Sequence, residues 1–235
     1  MTSYVFPAHD IVGLPVAGTT ERFPVRRVYC VGRNYAAHAR EMGFDPEREP
    51  PFFFCKPNDA SAVVAVAPDQ VGDLPYPQAT ANLHYECELV VAIGKGGSDI
   101  AVADAPQHVF GYAVGLDMTR RDLQFTMRDA GRPWEIGKAF DYSAPVGLIH
   151  RAADAGDIGH AAITLEVDGA VRQSATIAHL IWSVAETIAT LSTLFRLEPG
   201  DLIFSGTPEG VGAVVRGQTL VGKIDGLSVL SVKMV

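Results

Sequence analysis

A chain of 235 residues with 48% hydrophobic and 20% charged residues has the composition of an ordinary globular protein of one large domain, long enough to bury a sizeable core. Its formal net charge of −8 argues against a nucleic-acid backbone or an anionic membrane surface as the main partner, since both need an excess of Lys and Arg, and leaves open a small anionic ligand in a locally basic pocket. The opening MTSYVFPAHD has neither the basic nor the apolar region of a secretory signal, and no apolar run approaches the ~18 residues of a membrane span; Cys30, Cys55 and Cys87 are odd in number and set among apolar residues, so we expect a cytoplasmic protein with buried, reduced thiols.

Residues 1–23, with Pro7, Gly13, Pro15 and Gly18, read as an irregular N-terminal arm ahead of one domain over 24–235. A strand is expected over Val25 to Val31, followed by a short alanine-rich helix in YAAHAREM that places His38 and Glu41 three apart on one face, where the carboxylate either orients the imidazole or makes a modest surface contact. The loop after it, with Asp45, Pro46, Pro50 and Pro51, is expected to act as a lid over a ligand. PFFFCKP reads as a short buried strand ending in Lys56, whose stem either snorkels past the phenylalanines or delivers positive charge to a pocket.

HYECELVVAIG, His84 to Gly94, is expected to form one strand, with Glu86 and Glu88 on one face and Tyr85, Cys87 and Leu89 on the other. Carboxylates about 7 Å apart repel by roughly 2 kcal/mol at an effective dielectric near 20, which water, a shared proton or a divalent cation can offset. By itself the pair fits a solvated strand face. A second strand in VFGYAVGLD ends in Asp117 on a face of small residues that leave room beside the acid, and Thr119 with Asp122 predicts a capping box starting a helix. Three such carboxylates suit a hard cation, Mg²⁺ or Mn²⁺, far better than zinc.

Further on, Lys138 lies between a glycine and apolar residues, Ile163 to Gln173 reads as a hairpin turning at Asp168-Gly169, and HLIWSVAETIATLSTLFRL carries a helical apolar stripe from Ile181 to Phe195. Gly206-Thr207-Pro208 opens a glycine-rich loop whose backbone N–H groups and Thr207 hydroxyl could hold a carboxylate or enolate; no Gly-Lys-Ser/Thr follows, so it is not a Walker A loop.

Taken in order, VGRNYAAHAREM, FFFCKP, NLHYECELVVAIG, GYAVGLDMTRRDLQ, PWEIGKAFD and GDLIFSGTPEGVG resemble the fumarylacetoacetate hydrolase family from about Pro24 to the C-terminus. The resemblance implies an α+β, β-rich mixed β-sandwich roll of that family's C-terminal-domain type, a homodimer, and a divalent metal held by Glu86, Glu88 and Asp117. It further implies that His38 and Glu41 activate water, that Lys138, Arg121, Gln124, Gly206 and Thr207 hold the substrate and developing charge, and that Arg33 and Lys56 lie in matching substrate-binding segments. Among members the chain is most similar to short bacterial enzymes of gentisate breakdown, which implies cleavage of fumarylpyruvate, a small anionic 2,4-diketo acid, to fumarate and pyruvate. Two departures stand out: Cys87 replaces an aliphatic residue, and SATIAH lacks the acid often found before the long helix.

The chemistry these parts allow is general-base attack of water on the 4-carbonyl, with metal and Lys138 stabilising the pyruvate enolate that leaves. The alternatives are decarboxylation of oxaloacetate or isomerisation of a hydroxymuconate at the same site, a glycosidase using Glu86 and Glu88, and a non-catalytic metal- or anion-binding protein.

Overall fold

The computed structural model describes residues 3–41 and 49–235, the side chains of residues 39–41 excepted, so the lid expected around Asp45 and Pro46 lies outside the described residues. Most ordered segments are strands. The helices are short: α1 (Ala36–Glu41), α2 (Arg121–Asp129), α3 (Glu135–Lys138) and α4 (Val184–Leu194).

An eight-stranded mixed sheet runs in the order Phe52–Lys56, Arg27–Gly32, Asp201–Phe204, Cys87–Ile93, Val109–Leu116, Ala144–Val146, Val63–Ala65, with His150–Arg151 also paired to Val109–Leu116. Its parallel pairs are Arg27–Gly32 with Asp201–Phe204, and Val63–Ala65 with Ala144–Val146. A five-stranded sheet, in the order Ala170–Thr176, Ala162–Val167, Thr219–Ile224, Leu230–Met234, Val71–Leu74, packs against it. The result is the expected β-rich sandwich of mixed sheets.

All seven residues of Cys87–Ile93 are buried, which is what a near-continuous apolar run predicts for a strand covered on both faces. Leu89, Val91 and Ile93 join Ile163, Leu165 and Leu220 of the five-stranded sheet in one core, each contributing ~1.5–3 kcal/mol of burial. Val90 and Ala92 face the opposite way, onto Leu14 and Phe23 of a hairpin formed by Gly13–Pro15 and Arg22–Pro24. The sheets approach closely where Gly222 sits: a Cβ there would come within 3.0 Å of Val114 Cγ1 and 3.1 Å of Cys87 Sγ.

The structure corrects four local expectations. HYECELVVAIG is not one strand. Leu83–Tyr85 belongs to a three-stranded sheet with Thr119–Arg120 and Gly212–Ala213, and the chain passes at Glu86 into the eight-stranded sheet. Thr119 and Asp122 form no capping box: Thr119 donates to Asp117 O (3.1 Å), while Asp122 accepts from Thr80 Oγ1 (2.7 Å) and Ala81 N (3.0 Å), bonds that tie α2 to the preceding loop. The long helix begins only at Val184, because Ser183 and Glu186 make a reciprocal capping box, and its end leaves Leu194 and Phe195 exposed. Cys55 is exposed rather than buried, since its strand is the edge of the sheet; all three thiols are free.

Candidate active site

Strand geometry delivers the three acids. Glu88 shares a face with Val90 and Ala92, lies opposite Gly115 across the sheet, and Asp117 follows that strand with its N–H donating to Glu86 O at 2.8 Å. Carboxylate oxygens of Glu86, Glu88 and Asp117 lie within 4.8 Å of one another, all buried. The small residues before Asp117 serve packing rather than a ligand: a Cβ at Gly115 would sit 2.5 Å from Val90 Cγ2 and 2.8 Å from Phe204 Cε1, so that space is already filled.

Three cations meet these acids. Lys138, at the end of α3, points its ammonium to Glu86 Oε2 (2.8 Å), Asp117 Oδ2 (2.7 Å) and Thr119 Oγ1 (2.7 Å). Arg121, in the first turn of α2, donates to Glu86 Oε1 (2.5 Å) and to Gln124 Oε1 (2.6 Å). Lys56 lies behind Asp117, 2.8 Å from its Oδ1, and bonds the carbonyls of Met118 (3.2 Å) and Lys138. Those contacts occupy the three ammonium protons, which answers the choice the sequence left open: Lys56 neither snorkels nor faces the cavity but backs a metal-ligand candidate.

Burial pushes the Glu86 carboxyl up, yet Lys138 and Arg121 outweigh it and hold it well below the usual range. Glu88 goes the other way, raised well above the ordinary value by burial and then by the charges of Asp117 and Glu86. For Lys138, burial opposes the charge, and Asp117 and Glu86 prevail to raise the pKa. Glu88 accepts from the Gly206 N–H at 2.8 Å, and among the described residues no ion pair holds it. A buried acid repelled by two others, in a donor set of carboxylate oxygens alone, fits a hard divalent ion, which would leave all three ionised.

The glycine-rich loop performs a task different from the one expected. Gly206 (φ +102) must be glycine, because a Cβ would lie 2.6 Å from Asn34 Cβ, and its N–H goes to Glu88. Thr207 donates its hydroxyl proton to Cys87 O at 2.8 Å. Loop and metal-ligand strand are therefore held to each other, and the Thr207 proton is already committed.

Gln173 closes this ring. Fully buried, it accepts from Cys87 N (3.0 Å) and donates to Thr207 Oγ1 (2.8 Å) and Pro208 O (2.8 Å). Both peptide groups of the residue between Glu86 and Glu88 are thus fixed from outside the sheet. Sequence reasoning missed Gln173 for a definite reason. The hairpin turns at Asp168 (φ 49) and Gly169 (φ 79) as expected and pairs Val167 with Ala170 and Glu166 with Val171, but a bulge then sets Leu165 against Gln173 instead of Arg172. That one-residue shift turns Gln173 inward.

His38, buried on α1, lines the same cavity as Glu86, Glu88, Asp117 and Lys138. The chain before α1 is anchored by Asn34, whose amide donates to Trp182 O (2.9 Å) and Ser205 O (2.8 Å) and accepts from Trp182 N (2.8 Å). Gln124 and Thr207 line the cavity too, and Arg33 stands at its wall; the Glu41 carboxylate lies outside the described residues.

Comparison with known proteins gives a consistent set of likenesses. Residues 27–235 match the family model described as fumarylacetoacetate (FAA) hydrolase C-terminal. A fumarylpyruvate hydrolase from Ralstonia sp is 49% identical over 156 residues, 66% of this chain and 81% of that one. The crystal structure of fumarylpyruvate hydrolase from Pseudomonas aeruginosa in complex with Mn²⁺ and pyruvate superimposes with a TM-score of 0.96 at 63% identity, covering 99% of both chains. The oxaloacetate tautomerase YcgM of Escherichia coli (strain K12) is 39% identical over 207 residues, 88% of this chain and 91% of that one.

Proposed function

The chain belongs to the fumarylacetoacetate hydrolase family, and from that premise we propose that it hydrolyses the carbon–carbon bond of an acylpyruvate, fumarylpyruvate above all, giving fumarate and pyruvate in aromatic (gentisate) catabolism. The observation that carries this reading is one buried cavity in which Glu86, Glu88 and Asp117 converge with Lys138 and His38. Glu86, Glu88 and Asp117 hold Mg²⁺ or Mn²⁺, as the Mn²⁺ in the Pseudomonas aeruginosa enzyme suggests. When bound, that ion supplies Lewis-acid charge at the 2-oxo acid end of the substrate.

The chain's own residues do the rest. His38 takes the proton of a water attacking the 4-carbonyl, with Glu41 in the same helix orienting the imidazole. The Lys138 ammonium, desolvated and held charged, faces the negative charge that develops as pyruvate departs as its enolate. Arg121 and Gln124 hold the substrate carboxylate beside them, with Arg33 further out, while the loop at Gly206 and Thr207 fixes the strand that carries Glu88. Lys138, Arg121 and Lys56 pair with Glu86 and Asp117, and Glu88, which no cation among the described residues touches, is the acid that a divalent ion would neutralise. The same family relationship supports a homodimer, and three free thiols support a cytoplasmic location. Among the described residues no helix is long and apolar enough to cross a membrane.

Likeness to an oxaloacetate tautomerase favours a second reading, in which the same site takes oxaloacetate and Lys138 acts on an enolate with no water nucleophile. A panel of fumarylpyruvate, acetylpyruvate and oxaloacetate, each with Mg²⁺, Mn²⁺ or EDTA and followed by loss of enol absorbance and release of pyruvate, separates the two. Oxaloacetate consumed far faster than any diketone sinks the hydrolase reading.

A further inference from the structure

The cavity has a second end. Besides the acids at its floor it is lined by Arg33, Phe125, Arg128 and Trp134, none of which the floor chemistry requires except Arg33 as a general binding residue. Arg121, Gln124, Phe125 and Arg128 all line it, a spacing of i, i+3, i+4 and i+7 that puts one face of α2 along the cavity wall. Arg121 sits on Glu86 at the floor, and Arg128, seven residues on, lies about 10 Å further along at 1.5 Å of rise per residue.

Two guanidiniums are held at this outer end by aromatic faces. Arg33 lies 5.2 Å from the ring centre of Phe52 and 5.9 Å from that of Trp134, the two rings packed edge to face 5.2 Å apart. Arg128 lies 4.3 Å from Phe125 and turns Nε and Nη2 to the exposed Asp129 (2.8 and 2.7 Å). The backbone aims Arg33: it adopts φ +54, between Gly32, where a Cβ would fall 1.9 Å from the Phe52 ring, and the anchored Asn34. Both guanidiniums line the one cavity, and burial, first of all, lowers the Arg33 pKa, with Glu49 opposing that and Arg128 adding to it. Guanidiniums stacked on aromatic faces in one cavity form a receptor for an anion, and for Arg128 a substrate carboxylate would share or exchange the guanidinium with the exposed Asp129.

We propose that Arg33 and Arg128, backed by Phe52, Trp134 and Phe125, bind the second carboxylate of the substrate, so that the site selects acylpyruvates ending in an acid. This rests on the hydrolase reading. A seven-carbon diketo diacid spans six carbon–carbon bonds, roughly 7.5 Å end to end, and with hydrogen-bond reach at each terminus it bridges the floor and the mouth; four-carbon oxaloacetate, about half that length, does not.

Arg128→Met tests this, on a partly exposed helical residue whose loss leaves the core untouched, with Arg33→Met as the second variant. The ratio of kcat/KM for fumarylpyruvate over acetylpyruvate, which lacks the distal acid, should fall about 20-fold or more, chiefly through KM. An unchanged ratio in both variants overturns the subsite. Calorimetric titration of the Mn²⁺-loaded protein with fumarate is the turnover-free arm: weaker binding by about 10-fold in Arg128→Met supports the subsite, and equal binding refutes it. If the wild type cleaves neither diketone, the hydrolase reading fails, and the fumarate titration alone decides the subsite.

Discussion

Replacing Gln173 by leucine keeps its volume and removes every polar contact it makes. The amide accepts from Cys87 N at 3.0 Å and donates to Thr207 Oγ1 and Pro208 O at 2.8 Å each, all buried. Thr207 still satisfies Cys87 O, so the loss falls on two backbone groups, the Cys87 N–H and the Pro208 carbonyl. At about 1–3 kcal/mol for each buried group left unsatisfied, the variant should be about 2–6 kcal/mol less stable by denaturant unfolding. Because the same contacts fix the peptide between Glu86 and Glu88, Mn²⁺ affinity, read by electron paramagnetic resonance of the free ion, should drop about 10- to 100-fold. Ser192→Ala is the control: it removes a buried hydroxyl that accepts from Ile100 N (2.8 Å) outside the cavity, and should cost stability without moving Mn²⁺ affinity. If Gln173→Leu loses stability while its Mn²⁺ affinity stays within about twofold of the wild type, well short of that range, then Gln173 only packs and the positioning argument is wrong.

Three more outcomes follow from the site. Glu86→Ala should abolish Mn²⁺ binding by calorimetry, whereas His38→Ala should bind Mn²⁺ nearly as the wild type does and lose turnover; equal loss of affinity in both refutes that division of roles. The raised Glu88 pKa makes this group stabilising only below its ordinary value of 4.5 and progressively destabilising as pH rises toward the folded value, while the depressed Glu86 pKa contributes stability above the ordinary value that is lost as pH falls through the folded one. In metal-free protein Glu88→Gln should therefore melt above the wild type at pH 8 and lose that advantage toward pH 4, and a variant melting at or below the wild type at pH 8 contradicts the electrostatics. Gly206→Ala should cost about 1–3 kcal/mol from its φ of +102 alone, and more from the contact with Asn34; a denaturant midpoint equal to the wild type's would show that the loop yields freely.

The acids were legible in the sequence as three carboxylates in two apolar segments that resemble the metal-binding segments of the family, although neither the single strand expected for Glu86 and Glu88 nor the space expected beside Asp117 is present. Long-range placement was not. The change of sheet at Glu86 depends on partners at Thr119–Arg120 and Gly212–Ala213, far off in the chain, and local pattern cannot distinguish it from a continuous strand. Gln173 was hidden by a bulge, a one-residue event with no glycine to announce it. Lys56 lay behind Asp117 rather than in the cavity because two carbonyls and a carboxylate converge there from α3 and from the residues just after Val109–Leu116, a strand that Phe52–Lys56 does not pair with. Arg128 looks like a surface charge until α2 is laid against the cavity wall.

The parallel pairing of Arg27–Gly32 with Asp201–Phe204, which also flanks Cys87–Ile93, has a consequence for synthesis. A ribosome releases the chain from its N-terminus, so the strand carrying Glu88 pairs early with Val109–Leu116 along one edge but waits for more than a hundred further residues before Asp201–Phe204 covers the other. During that interval LVVAI is a strongly β-forming stretch with one edge open, of the kind that joins its like in other nascent chains. Glu86 and Glu88 stand immediately before it, where adjacent like charges oppose such stacking. The acids that later converge at the cavity floor thus guard the open edge of the same strand until its second partner arrives.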